Sequence, residues 1–353
     1  MGRKIRVAVI GLGMGYHHVM NYRACGDAEL VAVCDVDRAR LAELSAPWTG
    51  VKTYTDHREM LDKEKLDAVS IAVPNDLHCP LTCEALERGL HVLCEKPMAL
   101  NAAEAKKMRD LAKEKHLKLM INFAYRWVPQ ARVLKSFVDA GELGTIYYGR
   151  TRWMRSRGAP GLGSWFTQKK HSGGGPLIDL GVHRIDFALW LMGFPEAKSV
   201  SGATYYHLAQ EAARVQKKKC DVEDLAAAFI RFKNGATLVV EASWDMHGER
   251  FEDQLTELYG TKGGIVQRNV GEGGGVYSVS GYEMKLFKDL HGKLVEVTPK
   301  IQAQPGETSP AHFVDCIEHD REPEASADHG VYVMKILDAI YESAATGHEV
   351  ILG

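Results

Sequence analysis

Residues 5–10, IRVAVI, are apolar at every position but Arg6. A run so short and continuous predicts a strand buried on both faces. The same texture returns at residues 29–34 (ELVAVC), 66–73 (LDAVSIAV), 91–94 (HVLC) and 117–123 (LKLMINF). Between these runs the apolar positions switch to helical spacing, after the first strand in HHVMNYRA and again over about 80–88 and 102–115. Apolar strands alternating with amphipathic helices predict β-α-β units, and hence an α/β fold with a doubly wound parallel sheet.

Beyond residue 124 the runs lengthen and alternate. FIRFKNGATLVVEASW (229–244) places Asn234-Gly235 between two strand-like halves, a strong hairpin signal. TELYGTKGGIVQR (256–268) and YEMKLFKDLHGKLVEV (282–297) repeat that plan with glycine-containing turns. These features predict a second, α+β domain with a mostly antiparallel sheet and helices on one face. The expected boundaries are 1–123 and 124–353, with a last helix over about 331–345 able to pack back on the first domain. A length of 353 residues accommodates two such domains. Gly271 to Gly275 and Lys217 to Lys219 read as solvated loops.

Composition narrows the partners. A formal net charge of −2 gives no global attraction to nucleic acid or acidic membranes, so a charged partner must be met locally. Seven scattered cysteines without a CxxC pair argue against a disulfide framework or zinc ribbon and favour a reducing, cytoplasmic setting. The apolar run after Lys4 and Arg6 is too short and glycine-broken for a signal peptide, and no other run predicts a membrane span.

Gly11-Leu-Gly13-Met14-Gly15 falls between the first strand and the first helix. Glycine there lets the turn tighten and lets backbone approach a pyrophosphate seated on the helix N-terminus. The third glycine of the usual fingerprint would stand at Tyr16; here it comes one residue early. Asp35 ends the next strand, where a carboxylate accepts from both ribose hydroxyls of NAD and repels a 2′-phosphate, although nearby Arg38 keeps NADP as the lesser option. His17 and His18 cannot face the same way on one helix.

Pro74-Asn75-Asp-Leu-His78 and Cys94-Glu95-Lys96-Pro97 follow the third and fourth strands, the ligand edge of an open α/β sheet. Further on, GGGPLIDLGVHRID (173–186) reads as a helix whose only polar stripe holds Asp179, His183 and Asp186, with Arg184 pointing to solvent or a carboxylate. So apolar a helix is buried, and its stripe must face a cleft, water or a partner charge. Spacing leaves structural hydrogen bonding, acid–base chemistry and metal binding open, though D-x3-H-x2-D is not a standard helical metal signature and no metal is expected. Trp153 and Trp165, with Arg150, Arg152, Arg155 and Arg157, could bind a sugar ring and an anionic group or be core tryptophans beside solvated arginines.

GLGMG, Asp35, PNDLH, CEKPMAL and GGGPLIDLGVHRID together resemble the Gfo/Idh/MocA family, the glucose-fructose oxidoreductase and inositol dehydrogenase group, over nearly the whole chain. The resemblance implies a Rossmann domain, an open-faced α+β domain, bound NAD, and a homodimer or homotetramer built on the open sheet. It implies catalysis by Lys96, Asp179 and His183, with Asp186 left as structural support. Cofactor contacts are expected from Gly11, Gly13, Met14, Gly15, Asp35, Val36 and Arg38, and from Pro74, Asn75, His78, Glu95, Lys96 and Asn122. Substrate contacts are expected from Lys96, Tyr125, Arg126, Arg157, Trp165, Asp179 and His183. The implied reaction is NAD-dependent oxidation of a secondary alcohol of a cyclic polyol, sugar or sugar derivative. The alternatives are a redox-assisted glycosidase with tightly bound NAD and a non-catalytic NAD- or sugar-sensing regulator.

Overall fold

The computed structural model describes residues 3–271, 281–301 and 307–352; all of the glycine run except Gly271 lies outside them. The N-terminal segment alternates strand and helix: β1 (Ile5–Ile10), α1 (Gly15–Ala24), β2 (Ala28–Cys34), α2 (Arg38–Ser45), β3 (Lys52–Tyr54), α3 (His57–Lys63), β4 (Ala68–Ile71), α4 (His78–Glu87), β5 (His91–Glu95), α5 (Ala102–Glu114) and β6 (Leu119–Asn122). The strands form one parallel sheet in the order β3-β2-β1-β4-β5-β6, so the winding reverses between β1 and β4. Residues 7–10 and 68–71 are buried, as helices on both faces of a parallel sheet require. The apolar pattern predicted five strands; the sixth, β3, is an edge strand of sequence KTY with no run to reveal it.

The second unit contains α6 (Pro129–Asp139), β7 (Ile146–Arg155), α7 (Lys169–Ser172), α8 (Val182–Met192), β8 (Ala197–Tyr205), α9 (Leu208–Val215), β9 (Leu225–Phe232), β10 (Thr237–Ser243), β11 (Glu252–Gly260), β12 (Gly263–Asn269), β13 (Tyr282–Leu290) and β14 (Lys293–Val297). Beyond them come α10 (Ser309–Glu318), α11 (Ala327–Thr346) and the two-residue strand β15 (Val350–Ile351). The sheet order is β14-β13-β12-β11-β7-β10-β9-β8-β15, antiparallel throughout except for the parallel pair β7–β10. Asn234-Gly235 closes the β9–β10 hairpin as expected, with Gly235 at φ +88°. Leu134, Trp153, Leu180, Phe187, Trp190, Trp244, Leu258 and Ile265 share one apolar core.

Compactness divides the described chain into residues 3–122 with 307–334, and residues 123–301 with 335–352. The contiguous boundary after residue 123 is therefore amended. The returning segment joins the first unit because α10 packs on α1, β1 and β5, while Ile121 donates its N–H to the Ala325 carbonyl at 2.9 Å. Among the described residues no helix is long and apolar enough to cross a membrane.

Candidate active site

In the first unit every expected contact follows the C-terminal end of a strand. Gly11 leaves β1 at φ +88°, and a Cβ there would lie 2.2 Å from the Ala72 carbonyl oxygen. Only glycine satisfies both constraints. A Cβ on Gly15 would come within 2.9 Å of Val9, so this glycine lets α1 approach β1. Gly13 differs: a Cβ there would meet nothing within 4 Å. Packing within the protein does not require that glycine.

Asp35 is buried at the end of β2, and its carboxylate accepts from Leu12 N and Asp37 N, each at 2.8 Å. A carboxylate has about four acceptor positions, and with Arg40 Nη1 also donating to Oδ2 at 3.4 Å one of them remains for a further donor. Arg40, not Arg38, reaches this carboxylate, with Nη1 at 3.4 Å; Arg38 is exposed at the start of α2, as is Val36 before it. Asp37 caps α2 by accepting from Ala39 and Arg40 N–H groups.

The ends of β4, β5 and β6 bring Asn75, His78, Glu95, Lys96 and Asn122 to the same sheet edge. His78 is corrected from cofactor contact to a tie between loops. Its Nδ1 faces the Pro97 carbonyl at 2.6 Å and its Nε2 the Val73 carbonyl at 2.9 Å. Burial lowers its pKa against the opposite pull of those carbonyls. Glu95 is also turned inward: Oε1 accepts from His18 Nε2 at 2.9 Å and Asn122 Nδ2 at 2.6 Å, and Oε2 accepts from the Lys96 backbone N–H at 3.1 Å. Burial pushes the Glu95 pKa up, but the His18, Asn122 and Lys96 interactions together hold it below the usual range. His18 was legible only as one of two adjacent histidines; its partner lies 77 positions away.

In the second unit the expected single helix starts as a π-helical turn, Leu177–Gly181, that runs into α8. Such turns recur at functional sites because the extra residue re-aims the side chains that follow. Asp179 sits on the π turn and His183 on the first turn of α8. The Trp244 indole Nε1–H donates to Asp179 Oδ2 at 3.0 Å. His183 is packed edge-on against Tyr125, centroids 5.2 Å apart, and tilted against Trp153 at 5.7 Å.

Two arginine expectations are overturned. Arg126 is fully buried and pairs with Asp186, Nε to Oδ2 at 2.9 Å, so the residue expected at the substrate is a core cation. Arg184, expected to meet solvent or a carboxylate, is also fully buried; its Nη1 donates to Gln267 Oε1 at 3.2 Å, and its guanidinium lies over the Tyr125 ring. Tyr125 itself is buried, with its hydroxyl on Gln254 and Tyr282. Arg157 is exposed and bonds Met246 O and His247 Nδ1, while Trp165 is half-buried and stacked on Phe166. Arg150, Arg152 and Arg155 form cross-strand ion pairs with Glu257, Asp253 and Glu252.

Glu223 was not singled out in the sequence. It is almost wholly buried, and its carboxylate accepts from Gly175 N at 2.9 Å, Leu177 N at 3.2 Å and Tyr341 Oη at 2.8 Å. Burial raises its pKa despite those donors.

Family models match both parts of the chain: one described as the oxidoreductase family, NAD-binding Rossmann fold, over residues 5–123, and one as the GFO/IDH/MocA C-terminal domain over residues 131–266. The sequence is 31% identical to the D-glucoside 3-dehydrogenase of Escherichia coli (strain K12), across 98% of this chain and 97% of that one. It is 31% identical to the scyllo-inositol 2-dehydrogenase (NAD(+)) of Bacillus subtilis (strain 168), across 92% and 89% of the two chains. A levoglucosan dehydrogenase solved in complex with NADH superposes with a TM-score of 0.86 at 27% identity, across 99% of this chain and 100% of that one. With glycine loop, buried Asp35 and both domain models in agreement, the chain belongs to the Gfo/Idh/MocA family and is an NAD-binding oxidoreductase.

Proposed function

We propose that the protein oxidises a secondary alcohol of a cyclic polyol, sugar or sugar derivative to a ketone, with NAD as the oxidant. The observation that carries this reading is the placing of Asp179 and His183 on successive turns of one buried segment, with Asp179 anchored by an indole donor while the segment's other charges, Arg184 and Asp186, are taken up by core partners. The substrate class is supported by relatives named for a glucoside, an inositol and levoglucosan, all rich in ring hydroxyls.

Gly11, Gly13, Gly15 and Asp35 would hold the cofactor. When bound, NAD supplies the acceptor for the hydride leaving the carbinol carbon. His183 takes the hydroxyl proton, since an imidazole with a reference pKa of about 6.5 is a competent base near neutrality. Lys96 stabilises negative charge developing on the alkoxide oxygen, and Asp179 orients the hydroxyl and imidazole. The products are ketone, NADH and a proton, so atoms and charge balance. The cross-strand ion pairs of β7 and β11 are proposed to lie in a homodimer or homotetramer contact, a matter for sedimentation analysis.

Levoglucosan, methyl β-D-glucopyranoside, myo-inositol and scyllo-inositol with NAD form the direct test. One NADH per ketone is expected with at least one of them. Lys96→Ala should lower kcat roughly 10²–10³-fold, and His183→Ala roughly 10²–10⁴-fold. Glycoside cleavage without net NADH, or turnover indifferent to both substitutions, would overturn the reading.

A further inference from the structure

We propose that Trp244 is a positioning residue for Asp179, with Glu223 holding the turn that carries it, so that the carboxylate is aimed before any substrate arrives. The inference rests on the reading of Asp179 as part of the reacting site.

Trp244 follows β10 and is fully buried. Its backbone N–H donates to the Asp224 carbonyl at 2.9 Å, which fixes where the ring starts. Its indole N–H then donates to Asp179 Oδ2 at 3.0 Å. An indole nitrogen donates and cannot accept, so this contact assigns one carboxylate oxygen permanently as an acceptor and fixes the rotation of the group. A charge-assisted bond of this kind is roughly twice as strong as a neutral one.

The neighbouring residue secures the backbone. Glu223 accepts from Gly175 N and Leu177 N, the donors that open the π turn, and Asp179 donates its own N–H to the Gly175 carbonyl at 3.1 Å. Tyr341 Oη fixes the same Glu223 oxygen that takes Leu177 N. The dipeptide Glu223-Asp224 therefore anchors Asp179 twice: through the turn that carries it and through the indole that aims it. A tryptophan serving packing alone would be equally satisfied by a carbonyl; here the acceptor is the acid on which the proposed chemistry depends.

The full chain supports both arms of the test. In a ¹H–¹⁵N spectrum of the indole N–H groups of the six tryptophans, Asp179→Asn is expected to move one resonance, the one missing in Trp244→Phe. With methyl β-D-glucopyranoside and NAD, Trp244→Phe is expected to lose roughly 10–100-fold in kcat, the effect of removing a hydrogen bond to a charged group, at nearly unchanged KM, with a melting temperature lowered by the cavity it leaves. In the Asp179→Asn background the same substitution should cost nothing further. An unmoved indole resonance, or multiplicative losses in the double variant, overturns the positioning role. Should Trp244→Phe fail to fold, nuclear Overhauser contacts of the indole N–H assign the Trp244 resonance in the wild-type protein, and its response to Asp179→Asn still decides. A moved resonance in a protein that oxidises no sugar sinks the function while the positioning contact stands.

Discussion

Glu223 shows how much one buried carboxylate can bias. Its folded pKa is raised, chiefly by burial, so in the pH range above about 4.3 the native state binds more protons than the unfolded chain. The stability tied to protonated Glu223 is present below that range and is lost as pH rises through the folded pKa. Glu223→Gln removes this titration. The difference in melting temperature, variant minus wild type, is expected to grow more positive as pH rises from about 4.3 toward neutrality. A difference that stays flat, or falls, contradicts the assignment. Glu223 was illegible because its acceptor role depends on Gly175, Leu177 and Tyr341, the first two some 46–48 positions away and the last 118. Asp35 was legible because a glycine loop followed by a strand that ends in an acid is an ordered pattern, even though its partner Leu12 lies 23 positions away. Arg126 and Asp186 were each noticed, yet only folding shows them as one pair, and that pairing turns an expected substrate arginine into a core residue.

At the scale of elements, periodicity revealed strands that are apolar and helices that are amphipathic, and it missed what carries neither signal. β3 has one neighbouring strand and an exposed face, so nothing forces its residues to be apolar. The π turn is invisible for another reason. The one residue a π turn adds shifts the register, but in a segment that is apolar on nearly every face the shift leaves no mark on the hydrophobic pattern. The three glycines before it did carry information. A Cβ on Gly175 would lie 2.0 Å from the Glu223 carbonyl oxygen, and one on Gly174 would lie 2.0 Å from Tyr341 Oη. The first collision is with backbone, which cannot rotate away. Gly175→Ala is therefore expected to destabilise the protein by about 1–3 kcal/mol or more and to lower kcat by displacing Asp179. Gly13→Ala is the contrast, since its Cβ has open space: the apo protein should melt as wild type does, while NAD binds more weakly. Equal melting temperatures for the two alanine variants would refute the steric argument.

For the whole molecule, the change of texture near residue 124 marks two domains and a last helix over about 331–345 able to pack back on the first, but texture does not report that the returning segment is 307–334. The segment 307–334 carries α10 and the start of α11, each with an apolar face, and nothing in that pattern says which unit covers it. Its packing on α1, β1 and β5 and its backbone bond to β6 assign it to the first. Phe313 and Val314 of α10 and Val333 of α11 are essentially inaccessible to solvent, and burying such side chains stabilises by roughly 1.5–3 kcal/mol each. Three of them approach the low end of a whole domain's stability, about 5–15 kcal/mol. A fragment ending at residue 123 should therefore lack a cooperative melt and bind NAD weakly, despite containing every glycine and acid expected at the cofactor. Joining residues 307–334 to it through a flexible linker should restore both properties, and Phe313→Ala in that joined chain should remove much of the gain, about 3–5 kcal/mol for a buried phenylalanine. Circular dichroism melts and NAD titrations on the three chains decide the matter. A shorter fragment that melts sharply and binds as tightly as the joined one would show that the first unit ends where the change of texture placed it.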